Sequence, residues 1–369
     1  MISSPVIAGA TAFAQDYNNL RIDIMNLSMF EAVVAPMGAD YTTVGAAFAA
    51  GKKRIFVRAG TYSESAITCS LDNVYLVGED QDSVILQTTA AGMGSIGFIF
   101  SGKKVIIKDL ILRGTNAITT EKVVQLTGDK PYFDNVRVDK GKSILIDGNS
   151  MASNALFQNI YVDATSLDTG GGVVFQGFGV YGSKIINSFI FAPSAASINV
   201  FNSCNFQIIN SLLRGNKLQI ICLKMTNSII QSGNTILNGD FVNNTVSDYS
   251  YSPGTAPFIQ LTNGTFVANM VSVTYNPAKI LKIDSAFSTI IGNRLSYGKD
   301  IEINGEGVVF CNNTWLSPFL PQQMDIKLTA TAVRCQVNHN IIKGEASSMA
   351  PTITDLGKDN KKIDNQLYI

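Results

Sequence analysis

One short unit recurs along the chain: an apolar residue, any residue, an asparagine, then three or four strand-forming residues. It stands as Phe133-Asp-Asn135, Phe157-Gln-Asn159, Ile185-Ile-Asn187, Ile208-Ile-Asn210 and Met225-Thr-Asn227. Val242-Asn-Asn244, Val267-Ala-Asn269, Ile291-Gly-Asn293 and Cys311-Asn-Asn313 continue the series. Asn340 closes it, and Ile107-Lys-Asp109 opens it with Asp in the Asn position. Successive anchors lie 17 to 28 residues apart and average about 23. That period, with no helical stripe between the anchors, predicts a parallel β-solenoid. Each turn would supply two or three short strands, paired with their copies in the next turn about 4.8 Å away. Asn suits the corners, because its amide carries both donors and an acceptor and its backbone tolerates the left-handed conformation. These asparagines are therefore expected to hold corners and to do no chemistry.

Ahead of the repeat, residues 39–51 predict a short helix with a Thr start and a Gly stop. A strand and turn follow over 53–62, then strands at 73–78 and 83–86. A helix placed before the first turn would cover an edge otherwise open to pairing. With Ala59-Gly-Thr-Tyr62 and Leu76-Val-Gly78, residues 39–86 resemble the opening of the pectin-lyase-like superfamily. That resemblance implies an all-β chain: a single-stranded right-handed parallel β-helix with an N-terminal cap helix. The expected division is a helical anchor segment over 1–36, the β-helix over 37–345 and a polar tail over 346–369.

Composition narrows the function classes. Twenty-eight basic residues balance 28 acidic ones, and only 15% of the chain is charged, against about 25% in an average domain. Zero net charge argues against a broad electrostatic grip on nucleic acid or on an anionic membrane. No apolar stretch reaches the roughly 18 to 20 residues a membrane span needs. The beginning of the chain lacks a basic region, so a cleaved signal peptide is not expected. A single His, His339, between Asn338 and Asn340, reads as a corner residue. Cys69, Cys204, Cys222, Cys311 and Cys335 show no CxxC spacing and read as reduced core thiols. No metal and no cofactor is expected.

The superfamily's catalytic segments are missing. The pectin methylesterase segments are absent, and Gly97-Phe-Ile-Phe100 lacks their acid. The polygalacturonase motifs are absent too, and Ile146-Asp147-Gly has Gly where pectate lyases carry His. Counting four residues beyond each anchor gives a column of Arg113, Asp139, Asp163, Phe191 and Arg214. Asp139 and Asp163 would then face each other on adjacent turns. Two close carboxylates repel, and such a pair can act as acid and nucleophile in glycoside cleavage. Arg113, Arg137 and Tyr161 would lie beside them as sugar or uronate contacts, and Trp315 is a candidate stacking platform. Turn initiation is the competing reading for both Asp residues, and a core or subunit contact for Trp315.

At the beginning, Phe13, Tyr17, Leu20, Ile24 and Leu27 form one apolar stripe at helical spacing. The whole is best read as a phage tailspike-like or surface appendage on the virion, presenting a β-helix to a host polysaccharide. It would work as a homotrimer, joined to other tail proteins through the N-terminal segment, without catalysis. The alternatives are a secreted or virion-borne polysaccharide lyase or glycoside hydrolase using Asp139 and Asp163, and a purely structural solenoid.

Overall fold

A three-residue strand turns one side chain inward and two outward, because successive residues face opposite sides. Leu156–Gln158, Tyr161–Asp163, Thr289–Ile291 and Thr314–Leu316 all follow this rule, with the central residue buried and the flanks half-buried. One buried residue cannot stabilise a strand alone, so each unit depends on its copies above and below. The computed structural model describes residues 29–115, 120–148, 152–167, 173–178, 182–202, 206–248, 257–273, 279–296, 298–316, 324–343 and 351–368. Over these residues the chain is a parallel β-helix of about 12 turns.

Three faces run along the coil, and every ladder among the described residues is parallel. The first passes through Arg54–Val57, Tyr75–Gly78, Leu156–Gln158, Thr289–Ile291 and Gln336–Asn338. The second includes Gly60–Glu64, Val84–Thr88, Tyr161–Asp163, Thr245–Ser247 and Ile341–Lys343. The third includes Ile144–Asp147, Val173–Gln176, Asp300–Ile303 and Asp325–Leu328. The register stacks like on like. Leu76, Ile107, Phe133, Phe157, Ile185 and Ile208 occupy one inward column of the first face. Met225, Phe241, Phe266, Ile290, Phe310 and Val337 extend it, all within 1% of complete burial. Each such side chain contributes about 1.5–3 kcal/mol on burial. Burial also pushes up the thiol pKa values of Cys69, Cys222 and Cys335.

The corner between the first and second faces uses two consecutive residues, and the asparagines divide between them. The first residue is left-handed: Asp109, Asn135, Asn159, Asn187, Asn210, Asn227, Asn243, Ala268, Gly292, Asn312, His339 and Asp364, with φ between 49° and 67°. The second is buried, and its identity changes along the coil. It is apolar at Leu110, Val136 and Ile160, then Ser188, Ser211 and Ser228, then Asn244, Asn269, Asn293, Asn313 and Asn340. From Ser188 onward it forms a hydrogen-bonded ladder. Ser188, Ser211 and Ser228 each donate a backbone N–H to the side chain of the next turn. From Asn244 to Asn365, each backbone N–H and each Nδ2 donates to the next Oδ1. The sequence reading gave one residue both tasks; the fold separates left-handed turning from amide stacking.

Near the beginning, helix Val44–Ala49 turns Val44, Ala47 and Phe48 into the core. Thr43 Oγ1 accepts from Ala46 N at 3.2 Å, and the Glu64 carboxylate accepts from Val44 N and Gly45 N at 2.9 and 2.8 Å. Both expected boundaries of the coil move. Strand Ala32–Val34 already pairs with Arg54–Val57, so pairing starts before residue 37. Thr352–Asp355, Lys361–Ile363 and Gln366–Tyr368 pair in register with the preceding turn. The described part of the expected tail is thus a further turn of the coil. The amphipathic stripe at 13–27 lies outside the described residues.

Candidate functional site

The column counted from the sequence is real in register. Arg113, Asp139, Asp163, Phe191, Arg214 and Gln231 are direct neighbours on successive strands of the second face. Parallel pairing alternates side chains, so all six point outward. Asp139 and Asp163 therefore sit one turn apart, as the acid–nucleophile reading requires. Their partners tell against it. Arg113 grips Asp139 with two hydrogen bonds, Nε to Oδ1 at 2.8 Å and Nη2 to Oδ2 at 2.9 Å. Arg137 Nε lies 3.0 Å from Asp139 Oδ2, and its Nη2 donates to Asp163 Oδ2 at 3.3 Å. The remaining Asp163 oxygen, Oδ1, accepts from Thr165 N at 3.0 Å, as a turn-initiating Asp does. A guanidinium thus stands between the two carboxylates and relieves the repulsion that an acid–nucleophile pair exploits. Asp139 is 2% exposed, out of reach of a glycosidic oxygen. The hydrogen bond from Arg113 to Asp139 holds the Arg113 guanidinium above its ordinary pKa.

Arg137 has a third contact. Its guanidinium carbon lies 5.0 Å from the centre of the Tyr161 ring, within cation–π range. Desolvation raises the Tyr161 hydroxyl pKa, with the Asp163 charge adding to it. The Tyr161 ring meets Phe189 edge to face at 5.2 Å and 70°. From Tyr161 a groove of about 510 Å³ runs along the corner over four turns. One wall is the column Tyr161, Phe189, Leu212 and Ile229, in direct register on the second face. The other is the left-handed column Asn159, Asn187, Asn210 and Asn227, all exposed. Ile160, Ser188 and Ser211 form the floor. The groove exists because the buried corner residue is small here: serine fills less of the corner than the asparagine of later turns. Its lining residues carry no formal charge.

Of the sequence candidates, the structure brings together Arg113, Arg137, Asp139, Asp163 and Tyr161. It separates Trp315, which stands in the inward column of the second face, in register between Leu295 and Ile342, and is 1% exposed. That ring is a core residue and offers no stacking surface. His339 occupies a left-handed corner, 3.4 Å from Asp364. Among the described residues no three His, Cys, Asp or Glu side chains gather as a metal site, and no helix is long and apolar enough to cross a membrane. Sequence reasoning missed Asn187, Asn210 and Asn227 as surface groups, together with Phe189, Leu212 and Ile229. Their signal was present as three consecutive Asn-Ser-apolar triplets at 187–189, 210–212 and 227–229.

No family model matches the chain, and no curated protein matches it. Several solved structures do. Tailspike protein 3 of bacteriophage CBA120 is 10% identical, with 87% of this chain and 57% of that chain covered and a TM-score of 0.47. A pectin methylesterase in complex with a hexasaccharide is 14% identical, covering 78% and 79%, with a TM-score of 0.31. The catalytic unit of an α-1,3-glucanase from Streptomyces thermodiastaticus is 13% identical, covering 91% and 68%, with a TM-score of 0.36. All three are β-helix proteins.

Proposed function

We propose that this chain is a carbohydrate-binding β-helix of the surface-appendage kind, and that the corner groove from Tyr161 to Ile229 is its binding face. The observation that carries the reading is the fourfold repetition of one pairing, an exposed amide beside an apolar side chain. A sugar ring presents an apolar C–H face and an edge of hydroxyls. The column headed by Tyr161 and Phe189 suits the face, and the asparagine amides, as donors and acceptors, suit the edge. Repetition at strand spacing gives an extended glycan several equivalent footholds along the coil axis. Arg137 serves by fixing the Tyr161 ring, while Arg113 is committed to Asp139.

Asp139 and Asp163 act in this reading as clasps between turns, so the protein binds without cleaving. A homotrimer on a virion, attached through the N-terminal segment to other tail proteins and facing a host polysaccharide, is the assembly that suits such a face. Titration of the protein with fragments of surface polysaccharide tests the groove. Tyr161→Ala with Phe189→Ala should weaken binding by tenfold or more, since each lost stack is worth about 0.5–1.5 kcal/mol beyond area burial. Undiminished binding by that variant would remove the groove from the account. Release of reducing or unsaturated ends, abolished by Asp139→Asn and Asp163→Asn, would establish the hydrolase or lyase reading instead.

A further inference from the structure

Phe287 combines two unfavourable features. Its backbone is left-handed, with φ +57°, and the residue is 73% exposed. An L side chain crowds the backbone in that conformation, and a ring left in water forgoes burial. Its neighbours at this corner on the following turns, at equivalent left-handed positions, are Gly307, Arg334 and Asp359. Backbone bonds fix the site: Phe287 N donates to Glu306 O at 2.7 Å, and Gly307 N to Val333 O at 2.8 Å.

The ring lies across Gly307. A Cβ at Gly307 would fall 2.7 Å from the ring Cδ1 and 2.9 Å from Cε1, so only glycine leaves room for it there. Glu306, which precedes Gly307, and Arg334, the corner residue one turn further on, form an ion pair. The next residues along the corner, Lys358 and Asp359, are exposed and charged. The result is one flat apolar ring, seated on bare backbone, within a polar surround. A protein interface needs a contiguous apolar centre, which this surround denies it. One aromatic ring beside a carboxylate and a guanidinium matches a single sugar unit, stacked by its C–H face and held by its hydroxyls.

We propose that Phe287, Glu306 and Arg334 form a carbohydrate subsite for one pyranose ring, separate from the corner groove and independent of it. The test uses the full chain carrying Tyr161→Ala and Phe189→Ala, the pair that weakens the groove. Saturation-transfer NMR is recorded with neutral hexasaccharides of glucose, mannose and N-acetylglucosamine. Transfer to at least one of them is expected. Adding Phe287→Asn should abolish it while the melting temperature holds or rises, because Asn tolerates the left-handed backbone. Phe287→Tyr should restore it. The proposal falls if none of the three sugars receives saturation, or if Phe287→Asn leaves the transfer unchanged. A lower melting temperature in Phe287→Asn would overturn it by making the ring a packing element. A lower sedimentation mass in that variant would overturn it by making the ring a contact between chains.

Discussion

Asn293 donates Nδ2 to Phe266 O at 2.7 Å and to Asn313 Oδ1 at 2.9 Å, and its own Oδ1 accepts from Asn269 N at 2.8 Å. Cutting this side chain back leaves the Asn269 N–H buried without its acceptor and takes the Nδ2 donor away from the Phe266 carbonyl and from Asn313 Oδ1. The orphan costs about 1–3 kcal/mol and each further lost bond about 0.5–1.5 kcal/mol, so Asn293→Ala should lose about 3 kcal/mol in urea unfolding. Asn210, an exposed residue with φ 50°, does a different task, and glycine does it equally well. Asn210→Gly should therefore change stability by no more than about 0.5 kcal/mol. Equal losses in the two variants would mean that the corner is not divided as described. The asparagines were plain in the sequence, but their two tasks were not. In Ile185-Ile-Asn187 the inward residue is Ile185, two before the Asn; in Phe266-Val-Ala-Asn269 it is Phe266, three before. Val267 is apolar yet faces outward, so both segments show the same apolar-x-Asn pattern. One step of register separates a left-handed surface amide from a buried ladder rung.

At the level of strands, the third face pairs opposite charges along its strands and across its ladders. Lys282 Nζ lies 2.8 Å from Asp284 Oδ2, Lys279 pairs with Glu302, and Lys327 Nζ lies 2.7 Å from Asp300 Oδ2. Desolvation alone would raise the carboxyl pKa values of Asp284 and Glu302. The lysine and Asn304 hydrogen bonds outweigh it, and both are held below their ordinary values. On the first face, Asp134 is lowered in the same balance by Lys108, Asn159 and Tyr132. A carboxyl whose folded pKa is depressed adds stability above its unfolded pKa, and that stability is lost as pH falls through the folded value. Urea midpoints should therefore be flat from pH 7 to about 5 and fall progressively below about 4.5. A midpoint that rises on acidification would contradict these pairs. Element boundaries were less legible than element type. The helix at 44–49 announced itself by Thr43 and Gly51, yet its Glu64 clamp lies 20 residues beyond the helix start at Val44 and follows no local rule. The last turn was misread as tail because Lys362 occupies the inward column where Val337 stands one turn earlier. What persists there is the corner itself, Asp364 left-handed and Asn365 in the ladder.

Across the whole coil, the buried corner residue divides the stack into unlike halves. At Leu110, Val136 and Ile160 the buried corner side chain is apolar, whereas those from Ser188 to Asn365 form one ladder of hydrogen bonds, which Ile160 N joins by donating to Ser188 Oγ at 3.3 Å. In a solenoid each turn touches only its neighbours, so stability is a sum of nearest-neighbour terms and damage need not spread. Bonding through the buried corner side chain adds to that sum only where the ladder exists, from Ile160 N onward. The low charge of the chain fits the same picture, since corners that other folds give to solvated ions are here given to amides and hydroxyls. Hydrogen exchange on Asn293→Ala reads the division directly. Amides of strands Thr265–Val267, Thr289–Ile291 and Val309–Cys311, the turns bonded to the lesion, should lose protection by a factor of about 100, matching the loss of about 3 kcal/mol. Amides of Ile106–Arg113 and Tyr132–Asp139, which lie outside the ladder, should keep theirs. Uniform loss along the chain would show that the coil opens as one unit. A loss confined to the later turns would show that the step from apolar corner to hydrogen-bonded corner, near Ser188, is where the molecule's cooperativity breaks.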